Sequence, residues 1–160
     1  MTHIILKTDN NVGPVFLRLF LAIVLFPHGA QKLLGWFGGF GFTGSMQYFT
    51  ETVGLPWVVG FVVILIEFVG PVALLLGFAV RFWSLAIASV MTGVILTHFT
   101  AYFFMNWFGT QPTEGMEFFL LAIGMATSLV YSGAGRFSID AWLMKTKLRT
   151  SQVRTEVLSA

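Results

Sequence analysis

Apolar residues run almost unbroken through four stretches of the chain, from about Gly13 to Leu34, Pro56 to Gly77, Phe82 to Phe104 and Thr113 to Tyr131. Each approaches the roughly 20 residues that a helix needs to cross a hydrocarbon core about 30 Å thick. Glycine and proline punctuate them at Gly35 to Gly44, at "GLPW" (54–57), at "GF" (77–78) and at "FGTQP" (108–112). Pro71 falls inside the second stretch and is expected to bend that helix without ending it. The first run follows Lys7 as a secretory signal would, but Arg18 interrupts it and no small-x-small cleavage site follows, so it reads as a retained helix. The pattern predicts an all-α, polytopic four-helix transmembrane bundle over residues 1–135. A basic tail over 136–160 begins at a Ser138 cap and carries an amphipathic segment lying on the membrane surface.

Composition agrees: 56% of residues are hydrophobic and 10% charged, and mean hydropathy is +0.83. A soluble domain carries about 25% charged residues, and one of 160 residues has too much surface to cover with so few charges. The absence of cysteine excludes disulfides, thiol redox chemistry, iron–sulfur ligation and zinc thiolate sites within this chain. Any redox work must therefore use a bound cofactor or substrate. The pI of 9.2 comes mostly from Arg136, Lys145, Lys147, Arg149 and Arg154 set against Asp140 and Glu156. This is a local tail feature and not a nucleic-acid surface. The loops Gly35 to Leu55 and Asn106 to Gly115 lack Lys and Arg, whereas Lys7, Arg81 and the tail lie on the other side. That asymmetry predicts a plasma (inner) membrane protein with both termini cytoplasmic. Ser89 with Gly93 and Ala122 with Ala126 have the small-residue spacing of close helix contacts, and leave a homo-oligomer open.

Arg18, His28, Gln31, Lys32, Glu67, His98 and Glu117 lie within the apolar stretches. A charge at mid-membrane costs about 2.5 to 3.5 kcal/mol even on the lenient insertion scale, so the cations Arg18 and Lys32 are expected to pair with Glu67 and Glu117. Counting about 1.5 Å per residue from each span's centre places His28, Gln31, Lys32, His98 and Glu117 in one layer, about 6 to 12 Å toward the outside. Glu67 then falls near the midplane and Arg18 about 9 Å toward the cytoplasm. His28, Gln31 and Lys32 share a helix face, and all four helices contribute polar groups to the bundle. Each group also has a structural reading. Lys32 can snorkel, Glu117 can favour a helix N-terminus, His98 can bond between helices, and Arg18 with Glu67 can form a plain ion pair.

Taken together the set describes a polar pocket suited to a quinone: ring carbonyls want donors, and reduction takes up protons that His or Glu can relay. Trp36, Phe37, Phe40, Phe42, Trp57, Phe99, Tyr102, Phe103 and Trp107 offer an aromatic wall, or an interfacial aromatic belt. His28 and His98 on different helices also permit haem b ligation, and with Glu67 and Glu117 a carboxylate–histidine metal site, though no Glu-x-x-His pair is present. The favoured reading assigns no metal. "GAGRFS" (133–138) lacks the full Gly-x-x-x-x-Gly-Lys pattern of a phosphate loop.

The Arg18 helix continuing into "HGAQKLLGWFGG", "GLP" before the second span, "IEFVGPVALLLGF" with Glu67 and then Arg81, and the closing "GAGRFSID" resemble the DoxX family of small four-helix membrane proteins, over roughly Val15 to Asp140. The resemblance implies a link to membrane redox chemistry, since the related DoxD type is a subunit of a thiosulfate:quinone oxidoreductase, and a soluble redox or sulfur-metabolism partner. The positions it carries over are Arg18, Gln31, Lys32 and Glu67. The resulting expectation is a quinone-binding membrane subunit of an oxidoreductase, in which Arg18, Gln31, Lys32 and Glu67 hold the ligand and His28, His98 and Glu117 move protons. A non-catalytic anchor, with the tail docking a partner or anionic lipid, and a small-molecule transporter are the alternatives.

Overall fold

The computed structural model describes residues 8, 11–98, 102–111 and 115–146, and all regular structure among them is helical. In chain order these are α1 (Gly13–Leu34), a 3₁₀ turn (Trp36–Gly38), α2 (Gly41–Gln47), a π-helical turn (Tyr48–Thr52), α3 (Trp57–Leu76), α4 (Val80–His98), α5 (Glu117–Ser132) and α6 (139–146). α1, α3 and α4 are long and apolar enough to cross a membrane, and α5 is a shorter apolar helix of 16 residues. They pack as a ring in which α1 and α4 each touch both α3 and α5. Leu21 and Leu25 of α1, Leu74 of α3, Ile87 of α4, and Ala122, Ala126 and Leu129 of α5 form the core. The outward faces stay apolar: Phe20 is 61% exposed and Leu121 68%. Such a surface suits lipid, because helices that satisfy their own backbone bonds can present bare hydrocarbon to it. The protein is an all-α, multi-pass membrane protein.

Local sequence accounts for most boundaries. Pro14 stands in the first turn of α1, where its missing N–H costs nothing. α3 runs through Pro71 to Leu76, so the proline does not end the helix. α4 is described as far as His98, residues 99–101 lie outside the described residues, and Tyr102 and Phe103, within the apolar run, are no longer helical. The carbonyls of Tyr102 and Phe103 instead accept the N–H groups of Met116 (3.2 Å) and Glu117 (3.0 Å), serving the start of α5. The glycine-rich stretch after α1, expected as a break, folds mostly as helical turns.

At the end of the bundle where Thr8 and Asn11 meet Gly135 and Arg136, the helix termini are closed by side chains. Arg18, 2% exposed, donates through Nη1 to the carbonyls of Leu74 and Leu75 (3.2 Å each), and through Nη2 to those of Arg136 (3.4 Å) and Phe137. Arg81 does the same for α5, donating to Val130 (2.7 Å) and Tyr131 (2.8 Å). Asp140 accepts from the N–H groups of Ala79 (2.8 Å) and Val80 (3.0 Å), capping α4. Burial pushes the Asp140 carboxyl up, while the two amides and the Arg18 and Arg81 charges pull it back. The ionised cap therefore depends on the cluster it helps to hold. Ser138 Oγ accepts from Ala141 N–H at 3.1 Å, the predicted cap of α6. The N-terminal segment is held there by Gly135 N–H donating to Thr8 Oγ1 and by Arg136 N–H to the Asn11 carbonyl (3.0 Å).

Gly77 makes this clasp sterically feasible. Its φ is 66°, and a Cβ there would collide with the Arg18 guanidinium and the Ser138 side chain. Arg18→Met, which strands several carbonyls, should destabilise the protein by about 3 kcal/mol or more, and Gly77→Ala should lose at least about 1 to 3 kcal/mol. Thermal unfolding in detergent measures both, and wild-type melting of either variant would refute the clasp.

Candidate functional site

The four long helices enclose a cavity of about 720 Å³, within the range of small-molecule sites. Its walls are mostly apolar, and its charged groups are Lys32 of α1 and Glu67 of α3, with His28 of α1 beside them. Lys32 Nζ lies 2.6 Å from Glu67 Oε2, with side-chain exposures of 27% and 7%. That ammonium faces a buried carboxylate oxygen that has no hydrogen-bond partner among the described residues. Removing one member of such a pair strands a charge and typically costs about 3 to 5 kcal/mol.

Backbone contact sets this pairing. A Cβ at Gly29 would collide with the carbonyl of Glu67 and with Phe68, so α1 and α3 touch backbone to backbone one turn from Lys32. Pro71 contributes, since its ring nitrogen donates no N–H to the Glu67 carbonyl four residues earlier. His28, one turn below Lys32, lines the cavity with its ring tilted on Phe118, centroids 5.8 Å apart.

Of the residues expected at the pocket, the structure brings together His28, Lys32 and Glu67, and the predicted pairing of Lys32 with a carboxylate is met by Glu67. Arg18 lies at the opposite end and pairs with carbonyls, because the end of α3 passes beside it. Glu117 stands in the first turn of α5 and accepts the Met105 N–H at 3.0 Å, so it ties the preceding loop and does not line the cavity. Gln31 donates to the Phe37 carbonyl at 3.3 Å and fastens the turn after α1. The side chain of His98 lies outside the described residues, and with it the pairing of His28 and His98 around a haem b. Among the described residues no group of three His, Asp or Glu stands close enough to hold a metal ion.

The aromatic wall is also redistributed. Trp36, Phe37, Phe40, Trp57, Phe103 and Trp107 are exposed and absent from the cavity lining, so they do not form its wall. Tyr48, Phe49, Phe118 and Phe119 line it instead. Phe118 and Phe119 are adjacent to Glu117 in sequence, so the helical turn that carries one past the cavity presents the others to it. Tyr48 and Phe49 had no such signal, since their turn looked like loop.

The model of the family described as DoxX matches residues 13–102. The chain belongs to the DoxX family. It is 28% identical over 137 residues to "Putative oxidoreductase CatD" of Bacillus subtilis, covering 86% of this chain and 91% of that one. It is 31% identical over 141 residues to "Inner membrane protein YqjF" of Escherichia coli, covering 88% of this chain and 98% of that one. No solved structure matches. The quoted motifs "HGAQKLLGWFGG" and "IEFVGP" thus lie within the matched segment and carry the Gly29 contact and the Lys32–Glu67 pair.

Gly29→Leu should separate α1 from α3 and lower thermal stability by about 2 kcal/mol or more. In a double-mutant cycle of Lys32→Met and Glu67→Gln, the double variant should be less destabilised than the sum of the singles by about 1 to 3 kcal/mol. Additive losses in unfolding experiments would mean that the two groups do not interact.

Proposed function

We propose that the cavity binds a quinone, or a similar flat redox-active molecule, and that the protein serves as the quinone-binding membrane subunit of an oxidoreductase. The observation that carries this reading is the Lys32–Glu67 pair, set with His28 in the wall of an otherwise apolar cavity. In apolar surroundings a hydrogen bond from an ammonium to a carbonyl oxygen is strong, and Lys32 has N–H groups to spare beyond the one facing Glu67. A quinone supplies a two-electron, two-proton acceptor when bound. Glu67 holds the ammonium in position, and His28, exposed within the cavity, exchanges a proton with it. The oxidoreductase named among the relatives supports the same class.

The protein sits in the inner membrane with both termini in the cytoplasm, a reading supported by Arg81, Arg136 and Lys145 on the terminal end and by the inner-membrane relative. Exposed Arg136 and Lys145 there provide a basic docking place for a soluble redox or sulfur-metabolism partner or for anionic lipid.

Binding of a short-chain benzoquinone to purified protein in nanodiscs tests the site. Wild type should bind, and Lys32→Met and Glu67→Gln should each bind about tenfold or more weakly. Absence of binding to wild type would sink the reading, as would equal binding by all three. For orientation, a reporter enzyme active only in the periplasm should be silent when fused after residue 146 and active when inserted at Gly109; the reverse pattern would refute cytoplasmic termini.

A further inference from the structure

One wall of the cavity consists of two facing stripes of side chains. On α3, Val59, Val62 and Ile66 recur at steps of three and four residues, and on α4 Ala86, Ser89, Gly93 and Thr97 recur at the same steps. Several of these residues are also solvent-accessible. Val59 is 43% exposed and Val62 40%, and Ser89 and Thr97 are exposed as well. Toward the terminal end α3 and α4 close on each other, where a Cβ at Gly70 would stand 3.2 Å from Ile87. Toward the loop end they do not: among the described residues a Cβ at Gly93 would meet nothing within 4 Å. The spacing of Ser89 and Gly93, read from the sequence as a close helix contact, here leaves a gap.

We propose that this gap is a lateral portal through which a lipid-dissolved molecule with an apolar tail and a hydrogen-bond-accepting head enters the cavity directly from the membrane. The inference rests on the small-molecule reading of the cavity and names the route and class of its ligand. The rim is built of Val59, Val62, Ser89, Gly93 and Thr97, whose hydroxyls are turned to their own helix: Ser89 Oγ donates to the Leu85 carbonyl and Thr97 Oγ1 to that of Gly93 (2.9 Å each). The passage therefore presents a nonpolar rim to a tail. At its inner end stand His28 and the Lys32–Glu67 pair, the groups suited to a polar head. A second copy of the chain or a packed lipid tail would have no use for that buried pair.

A small aryl diazirine dissolved in the bilayer tests the route without depending on which ligand the cavity takes. Leu25 and Met91 line the cavity and are 1% and 3% exposed, so carbene insertion on them after photolysis requires passage into the bundle. Wild type should be labelled there as well as on the lipid-facing residues Phe20 and Leu85. Gly93→Phe and Gly93→Leu, which fill the gap and replace a poor helix former, should lower labelling of Leu25 and Met91 about tenfold while sparing Phe20. Gly124→Phe is the control, being on an exposed helical position with equal free space but outside the cavity. Unlabelled Leu25 and Met91 in wild type would overturn the portal and point to a gap covered by another copy or by packed lipid. Unchanged labelling in both Gly93 variants would overturn it too. Failure of benzoquinone to bind wild type would count against the quinone alone, since the labelling pattern decides the route independently.

Discussion

A helix that ends near hydrocarbon must find partners for its last carbonyls and first amides within the protein, and the rest of this structure hangs on how that requirement is met. One guanidinium, that of Arg18, joins the last turn of α3 to the segment that leads into α6. Arg81 closes α5, and Asp140 closes α4. These three side chains gather four helix ends into one rigid base, and Gly77 lets the guanidinium approach because it carries no Cβ. Charges that would be expensive in isolation are here spread over dipolar backbone groups that themselves needed satisfying.

Above that base the bundle spends its remaining polar groups sparingly. Gly29 draws α1 onto the backbone of α3, which seats Lys32 against Glu67. An ion pair in such surroundings stabilises little compared with apolar packing. In the proposed function its place beside a 720 Å³ cavity matters for what it can present to a ligand. The same geometry separates structural polar residues from candidate chemical ones. Those at helix ends face backbone groups, and those at the cavity face open volume.

Much of this was legible along the chain. The four apolar stretches and their breaks named the helices, Pro71 was rightly expected not to end its helix, and Ser138 was read as a cap. Lys32 and Glu67 stood out because neither belongs in lipid alone. Other features were hidden for physical reasons. Arg18 looked like a partner for a carboxylate because charge balance counts only side chains, whereas its real partners are carbonyls of residues 74, 75, 136 and 137. Glu117 lay at the right depth for the pocket, but depth along a helix does not say which way a side chain turns. Asp140 looked like one charge of a basic, membrane-surface tail, because its role requires the end of α3 and the start of α4 to be beside it.

Local sequence by itself determined the class of this protein, its membrane-crossing helices, where most of them start and stop, and which residues are too polar to face lipid. Those properties follow from hydrophobicity, backbone stereochemistry and spacing, which act over a few residues at a time. The tertiary structure alone decided which polar groups meet, that α3 and α4 part at Gly93 while they close at Gly70, and that a cavity lies between them. Contacts between helices depend on small differences in side-chain volume across the bundle, and a glycine that permits contact at one level permits a gap at another.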